Sequence, residues 1–194
     1  MTIIRVNPES IRHYGTLAQG NFEAITASLK HLADDVVEVH YYGPNAVAFK
    51  TRCGQMAQSL ATQLHTAMAQ MADAVRVSTS NIAASLGGQP ISIQIADQPV
   101  TAPLPTAVDF VDVDTAALEA ILPVVRGHFD AIREQLASHL DRLGQTDWQG
   151  NAKQQAVTRV GGFTSRATSA CDTTQHDLVD YVTRQIDAAV LADA

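Results

Sequence analysis

The stretches Tyr41-Tyr42-Gly43 and Trp148-Gln149-Gly150 decide the fold of this chain. Each places an aromatic residue two positions before a glycine, between two long segments with apolar residues at helical spacing. The two motifs lie 107 positions apart (148 − 41), and the same shift aligns the segments that precede them. The aligned apolar pairs are Ile11/Leu118, Ala18/Val125, Phe22/Phe129, Ile25/Ile132 and Leu29/Leu136. The chain therefore repeats one unit of helix, aromatic-x-Gly turn and helix.

Apolar residues at alternating steps of three and four predict a bundle-forming helix in each of the four segments. Asn7 and Asp114 are typical N-caps, and Gly87-Gly88 is a typical helix end. Pro123 lies inside the third segment and predicts either a kink or a later helix start. Gly161-Gly162 lies inside the fourth, and this pair predicts either very close helix packing or a locally soft helix.

Residues 87–112 differ in kind from the helical segments. They contain no basic residue and four prolines, which exclude a helix. Ile91, Ile93 and Ile95 alternate with polar residues, a pattern that predicts an extended segment with one face against apolar surface. The region is predicted to be a linker that lies on the protein.

Composition limits the classes of partner. Asp and Glu outnumber Lys and Arg by 20 to 13, giving a net charge of −7, and this balance argues against nucleic-acid binding. No apolar run approaches the roughly 20 residues that cross a bilayer, so stable membrane insertion is not expected. The first residues lack the basic and apolar regions of a signal peptide, so export through a cleaved signal is not expected either.

Neither the cysteines nor the histidines form a metal-binding pattern. Cys53 and Cys171 belong to no C-x-x-C motif, so we predict two buried free thiols, with a disulfide between them as the alternative. His139 lies on the apolar seam of the third helix and is predicted to be a hydrogen-bonded bundle residue. No catalytic motif stands out, so we predict a protein that is not an enzyme and needs no cofactor or metal.

The post-turn pattern of the second repeat resembles that of the small WxG (Esx-type) proteins of type VII secretion systems in actinobacteria and firmicutes. The first repeat carries a variant of the same pattern, with tyrosine in place of tryptophan. The residues that carry the resemblance are Trp148, Gly150, Ala152, Ala156, Val160 and Phe163 in the second repeat, and Tyr41, Gly43, Pro44, Ala46 and Phe49 in the first.

The resemblance implies an all-α fold in which two hairpins pack antiparallel as a four-helix bundle, a pseudo-heterodimer in one chain. Hairpin 1 is then residues 1–86, the linker 87–112 and hairpin 2 residues 113–194. The linker length fits this arrangement. About 26 extended residues reach roughly 85 Å, and a helix of about 40 residues is roughly 60 Å long.

In function, the resemblance implies a type VII secretion-associated protein that acts through protein–protein interaction. It would be an exported substrate or a co-exported partner, bound to the secretion machinery or to another Esx-type protein and secreted without a signal peptide. The family's export signal also includes Tyr-x-x-x-Asp/Glu after the last helix, but here Tyr181 is followed by Gln185. The predicted recognition residues are Trp148 and Gly150 in one bend, Tyr41 and Gly43 in the other, and Tyr181 in the last helix.

Alternatives stay open at this point. Trp148 either packs the hairpin end only or also takes part in recognition. A cytosolic adaptor or chaperone for secretion substrates is the main alternative function, because the acidic export element is absent. A membrane-active effector is a weaker alternative, because no helix shows a basic amphipathic face. The chain is expected to be a monomeric bundle or a domain-swapped dimer.

Overall fold

A computed structural model describes residues 3–95 and 99–194, with side chains for all of these except 85 and 86. Long helices make up most of the described chain: α1 (Pro8–Glu38), α2 (Pro44–Leu86), α3 (Thr115–Gln145) and α4 (Asn151–Ala192). They pack as an all-α four-helix bundle, so the predicted fold class is confirmed. Two-residue strands lie beside them: β1 (Arg5–Val6), β2 (Tyr41–Tyr42), β3 (Asp112–Val113) and β4 (Trp148–Gln149).

Side-chain caps fix where α1 and α3 begin. Asn7 Oδ1 accepts a hydrogen bond from the backbone N–H of Glu9 at 3.0 Å, and Asp114 Oδ1 accepts one from Ala117 at 3.1 Å. Each cap satisfies an amide that has no partner within the helix. Both predicted N-caps are confirmed, as is the predicted end of α2, which stops at Leu86.

Two expectations about helix interiors are corrected. The N-cap bond at Asp114 starts α3 at Thr115, and the helix continues through Pro123, so the later start is wrong. Within the described residues, a Cβ added at Gly162 would meet no atom within 4 Å, and one at Gly161 would meet only Leu140, at 4.0 Å. Very close packing is therefore not the reason for this glycine pair.

The short strands pair the bend of each hairpin with the residues that precede the first helix of the other hairpin. β1 pairs antiparallel with β4, with Val6 opposite Trp148. β2 pairs antiparallel with β3, with Tyr41 opposite Val113. This reciprocal pairing places the two hairpins antiparallel, as predicted, although the strands themselves were not predicted.

The described residues form two compact units. Unit 1 draws on the segments Met1–Ile25, Gln63–Gln98 and Arg133–Ser169, and unit 2 on Thr26–Thr62, Pro99–Ile132 and Ala170–Ala194. Every long helix contributes to both units. The large side chains buried in unit 1 include Phe22, Leu64, Met68 and Trp148, and those in unit 2 include Leu29, Leu32, Phe49 and Phe129.

The first part of the linker packs against unit 1. Ile91 is buried and its N–H donates to Thr79 Oγ1 at 3.2 Å. Ile93 and Ile95 are half-buried, and the residues between these isoleucines are exposed. The predicted alternation of the linker is confirmed.

The linker approaches two helical glycines so closely that neither position has room for a side chain. A Cβ at Gly15 would lie 2.8 Å from Ile91 Cδ1, in unit 1. In unit 2, a Cβ at Gly54 would lie 2.6 Å from Ala102 Cβ. Ile91 Cδ1 is the far end of a flexible side chain, whereas Ala102 Cβ is fixed to the backbone. The contact at Gly54 is therefore the stricter of the two.

Both cysteines are buried free thiols, as predicted, and the disulfide alternative is wrong. Burial raises the pKa of the Cys53 thiol to about 12, because the thiolate would be removed from water. None of the described helices has the length and apolarity needed to span a bilayer.

Candidate recognition site at the two bends

The bend of hairpin 2 is held by the residues that precede α1. The backbone N–H of Asn7 donates to the Asp147 carbonyl at 2.9 Å, next to the β1–β4 pair. The N–H of Asp147 donates to Ser10 Oγ at 2.9 Å, and the Asp147 carboxylate lies 3.1 Å from the Arg5 guanidinium. We call this set of contacts clasp A.

The bend of hairpin 1 is held in the same way by the residues that precede α3. The N–H of Asp114 donates to the His40 carbonyl at 3.2 Å, next to the β2–β3 pair. The Asp112 carboxylate lies 3.0 Å from His40 Nε2. We call this set of contacts clasp B.

The two clasps are equivalent under the 107-residue shift, but the carboxylate lies at the other position of the pair. The shift carries Arg5 onto Asp112 and His40 onto Asp147. Position for position, the cation of clasp A becomes the anion of clasp B. A side-chain contact is therefore present at this place in both repeats, although the residue type differs at each of its two positions.

Each bend needs its glycine for backbone reasons. Gly43 has φ = +125° and Gly150 has φ = +122°, values that side-chain-bearing residues rarely adopt. Each glycine faces an apolar dipeptide that precedes the first helix of the other hairpin. Val111 Cγ2 would lie 3.2 Å from a Cβ at Gly43, and Ile4 Cγ1 would lie 3.7 Å from one at Gly150.

Trp148 is buried beneath this arrangement. Its side chain is 1% exposed, and its indole N–H has no hydrogen-bond partner among the described residues. A buried indole cannot touch a receptor unless clasp A opens.

The exposed apolar residues around the bends are the surface available to a partner. Ile3 and Ile4 are 66% and 59% exposed beside Gly150, and Phe110 and Val111 are 58% and 73% exposed beside Gly43. The 107-residue shift carries the first pair onto the second. Each bend thus presents an exposed apolar dipeptide, contributed by the residues that precede the first helix of the other hairpin.

Tyr181 lies in the same unit as the bend of hairpin 1. Its ring stacks on Phe49 with the centroids 5.4 Å apart, and Phe49 in turn contacts Tyr41 at 5.7 Å. Burial, followed by the nearby Tyr181 hydroxyl, raises the pKa of Tyr41. Lys50 Nζ lies 4.8 Å from the centroid of the Tyr42 ring, a cation–π contact. The result is an aromatic cluster with one cation.

The predicted recognition residues are divided between the two units. The structure places Tyr41, Gly43 and Tyr181 in unit 2, and Trp148 and Gly150 in unit 1. The clasp ion pairs and the exposed dipeptides were missed from the sequence. The carboxylate that changes position under the repeat shift is the signal that would have revealed the ion pairs.

His139 is a hydrogen-bonded core residue of unit 1, as predicted. It is fully buried, and its Nε2 lies 2.7 Å from the Tyr14 hydroxyl. Its Nδ1 has no partner among the described residues. Burial, and secondarily the charge of Arg142, lowers the pKa of His139 to about 4, so the imidazole is neutral near pH 7.

One groove of about 560 Å³ lies in unit 1 between α1, α2 and the linker. Arg12 is the one charged residue among the described residues that line it. In the described part of the chain, no group of three or more His, Cys, Asp or Glu side chains has the geometry to hold a metal ion. The bends therefore stand out as the candidate site.

Comparison with known proteins gives no assignment, because no family model, no curated protein and no solved structure matches the chain.

Proposed function

We propose that the chain is a tandem WxG (Esx-type) protein associated with type VII secretion, which acts by binding other proteins and not as an enzyme. In this proposal it is an exported substrate or a co-exported partner, and it leaves the cell without a signal peptide. The observation that carries the proposal is the shared geometry of the bends. In both bends a glycine with a φ near +120° lies two positions after an aromatic residue. In both, the bend pairs as a short strand with the residues that precede the first helix of the other hairpin.

The surface that a receptor would read is the bend of hairpin 1 together with the last helix of hairpin 2. Tyr181 is half-buried there and stacks on the buried Phe49, which contacts the buried Tyr41, and Phe110 and Val111 are exposed beside the bend. Exposed apolar side chains of this kind are typical of protein-binding surfaces. Helix α4 supplies Tyr181 from within the helix, whereas the family's export signal follows the last helix.

Export is tested in the native host by measuring the protein in culture filtrate and lysate, with and without a working type VII ATPase. The proposal predicts that the protein appears in the filtrate only when the ATPase works. Trp148→Tyr and Tyr41→Trp form a matched pair, since each places the other repeat's aromatic residue in a buried bend position. If the machinery requires the tryptophan, the first variant loses export and the second keeps it, with similar melting temperatures for both.

A second candidate function is a cytosolic adaptor or chaperone for secretion substrates. The observation that favours it is Gln185, which stands where the export signal of the family has an acidic residue. Retention in the lysate under both ATPase conditions would contradict the substrate proposal and support the adaptor. Affinity capture of the protein from the host should then recover an Esx-type client.

A further inference from the structure

Contacts between the two hairpins are asymmetric at three levels, and each asymmetry follows the 107-residue repeat. In the core of unit 1, the Tyr14 hydroxyl bonds to His139 at 2.7 Å. The repeat-equivalent positions are Ile121 and Leu32, which are both buried in unit 2. One hairpin interface thus uses a polar pair where its repeat equivalent uses two apolar residues.

The second level is half-buried. Arg142 Nη1 donates to Asn21 Oδ1 at 2.8 Å in unit 1. The repeat-equivalent pair in unit 2 is Asp35 and His128, with 2.6 Å between the carboxylate and Nε2. The third level is the surface, where the carboxylate of clasp A belongs to Asp147 and that of clasp B to Asp112, two positions that are not repeat-equivalent.

Pairing of a hairpin with a copy of itself would break the buried pair and the clasp contacts. Two copies of hairpin 1 would bring Tyr14 against Leu32 and Arg5 against His40. Each buried hydroxyl would lose its partner, and neither clasp would contain a carboxylate.

Two copies of hairpin 2 would bring His139 against Ile121 and leave both ring nitrogens without a partner. They would also bring Asp112 against Asp147. A buried polar group without a partner costs far more than a made bond contributes, and like charges in contact repel.

We propose that the buried pair and the clasps form a pairing code, by which each hairpin accepts a hairpin of the other type and rejects its own type. The partner surface of hairpin 1 is therefore hairpin 2, from the same chain or from a second copy that exchanges hairpins through the linker. The buried pair is the strongest element of the code, because water screens the exposed clasps. The inference is independent of secretion.

The test uses the whole chain with a specific protease site introduced at the exposed residues 106 and 107 of the linker. The chain is folded, cut, unfolded in urea and refolded by dilution. Native mass spectrometry then counts the mixed pairs of hairpin 1 with hairpin 2 and the two kinds of homotypic pair, in which a hairpin binds a copy of itself. Random association would give one half mixed pairs. We expect the wild-type chain to give almost only mixed pairs, with homotypic pairs at or below about 5%, consistent with the cost of orphaned buried polar groups.

Two double variants should remove the discrimination between mixed and homotypic pairs while mixed pairs can still form. Tyr14→Phe/His139→Leu makes the buried positions apolar in all pairings, and homotypic pairs should rise about tenfold, towards the random value. His40→Asp/Asp112→Arg keeps an ion pair in clasp B but gives both hairpins the same charge pattern. We expect a smaller rise here, about two- to threefold.

Random pairing of the wild-type hairpins would overturn the proposal, as would exclusive mixed pairing in the Tyr14→Phe/His139→Leu variant. If the cut chain fails to refold, urea unfolding of the uncut chain is used instead. Double-mutant cycles at Tyr14/His139 and His40/Asp112 then measure the coupling energy of each pair. Favourable coupling at the buried pair supports the code. An absence of coupling at both pairs overturns it.

Discussion

Acidification is expected to destabilise this chain, and one buried side chain, His139, makes a contribution that can be isolated. The imidazole is fully buried, and its pKa of about 4 in the folded chain lies well below the ordinary value of 6.5. Above pH 6.5 the ring is neutral in both the folded and the unfolded chain, so its contribution to stability is fully present. Between pH 6.5 and about 4, only the unfolded chain binds the proton, and the free energy of unfolding falls as the pH falls.

The size of this loss follows from the pKa difference. About 2.5 pH units at 1.36 kcal/mol per unit gives a loss of about 3 kcal/mol by pH 4. That is a large part of the 5–15 kcal/mol typical of native proteins. Carboxylates elsewhere also contribute to acid unfolding, so the His139 contribution has to be measured as a difference between variants.

Tyr14→Phe/His139→Leu is the variant that isolates it. Leu32 fills the repeat-equivalent buried position, so the fold already accommodates leucine there. His139→Leu alone would leave the Tyr14 hydroxyl buried without its partner, at a cost of about 1–3 kcal/mol at neutral pH. The second substitution removes that hydroxyl.

Urea unfolding at pH 7.5, 6.0, 5.0 and 4.5, followed by circular dichroism, measures the free energy of unfolding of both proteins. We expect the wild type to lose about 2–3 kcal/mol more than the double variant between pH 7.5 and pH 4.5. Equal losses, within about 0.5 kcal/mol, would refute the assignment of this acid sensitivity to His139.

Three further predictions follow from the glycines and the cysteines. Gly54→Ala should destabilise the protein by about 1–3 kcal/mol in urea unfolding, because the linker has to move. The control Gly20→Ala has open space around it and should not destabilise the protein. Equal effects of the two substitutions would contradict the linker contact. Gly162→Ala should stabilise by about 0.5–1 kcal/mol, and a loss of stability would reveal a packing partner. Cys53 and Cys171 should resist a thiol reagent at pH 8 until urea is added, since both are buried and free; rapid labelling of the native protein would refute this.

The architecture was predictable because its signals are local and repeated. Helical periodicity, the caps at Asn7 and Asp114 and the glycines after α2 each act within a few residues, and the duplication gives every signal twice. The alternation at Ile91, Ile93 and Ile95 could also be recognised because it is a local pattern. The core role of His139 followed from its place on the apolar seam.

The clasps were not predictable in this way. A strand of two residues has too little alternation to stand out, and the Arg5–Asp147 ion pair joins residues 142 positions apart. Its detection requires the antiparallel pairing to be known first. The burial of Trp148 also depends on β1, which lies at the other side of the linker in sequence, so the sequence left its role open between packing and recognition.

Trp148 gives the molecule a built-in optical probe. It is the single tryptophan of the chain and lies 1% exposed against β1. Its emission should therefore be blue-shifted in the native protein and move to longer wavelength when clasp A opens, with no introduced label. Three of the four tyrosines, Tyr41, Tyr42 and Tyr181, lie in unit 2. Tryptophan emission and tyrosine absorbance thus report mainly on different units, and a stopped-flow experiment with both signals would show whether the two units unfold at one rate.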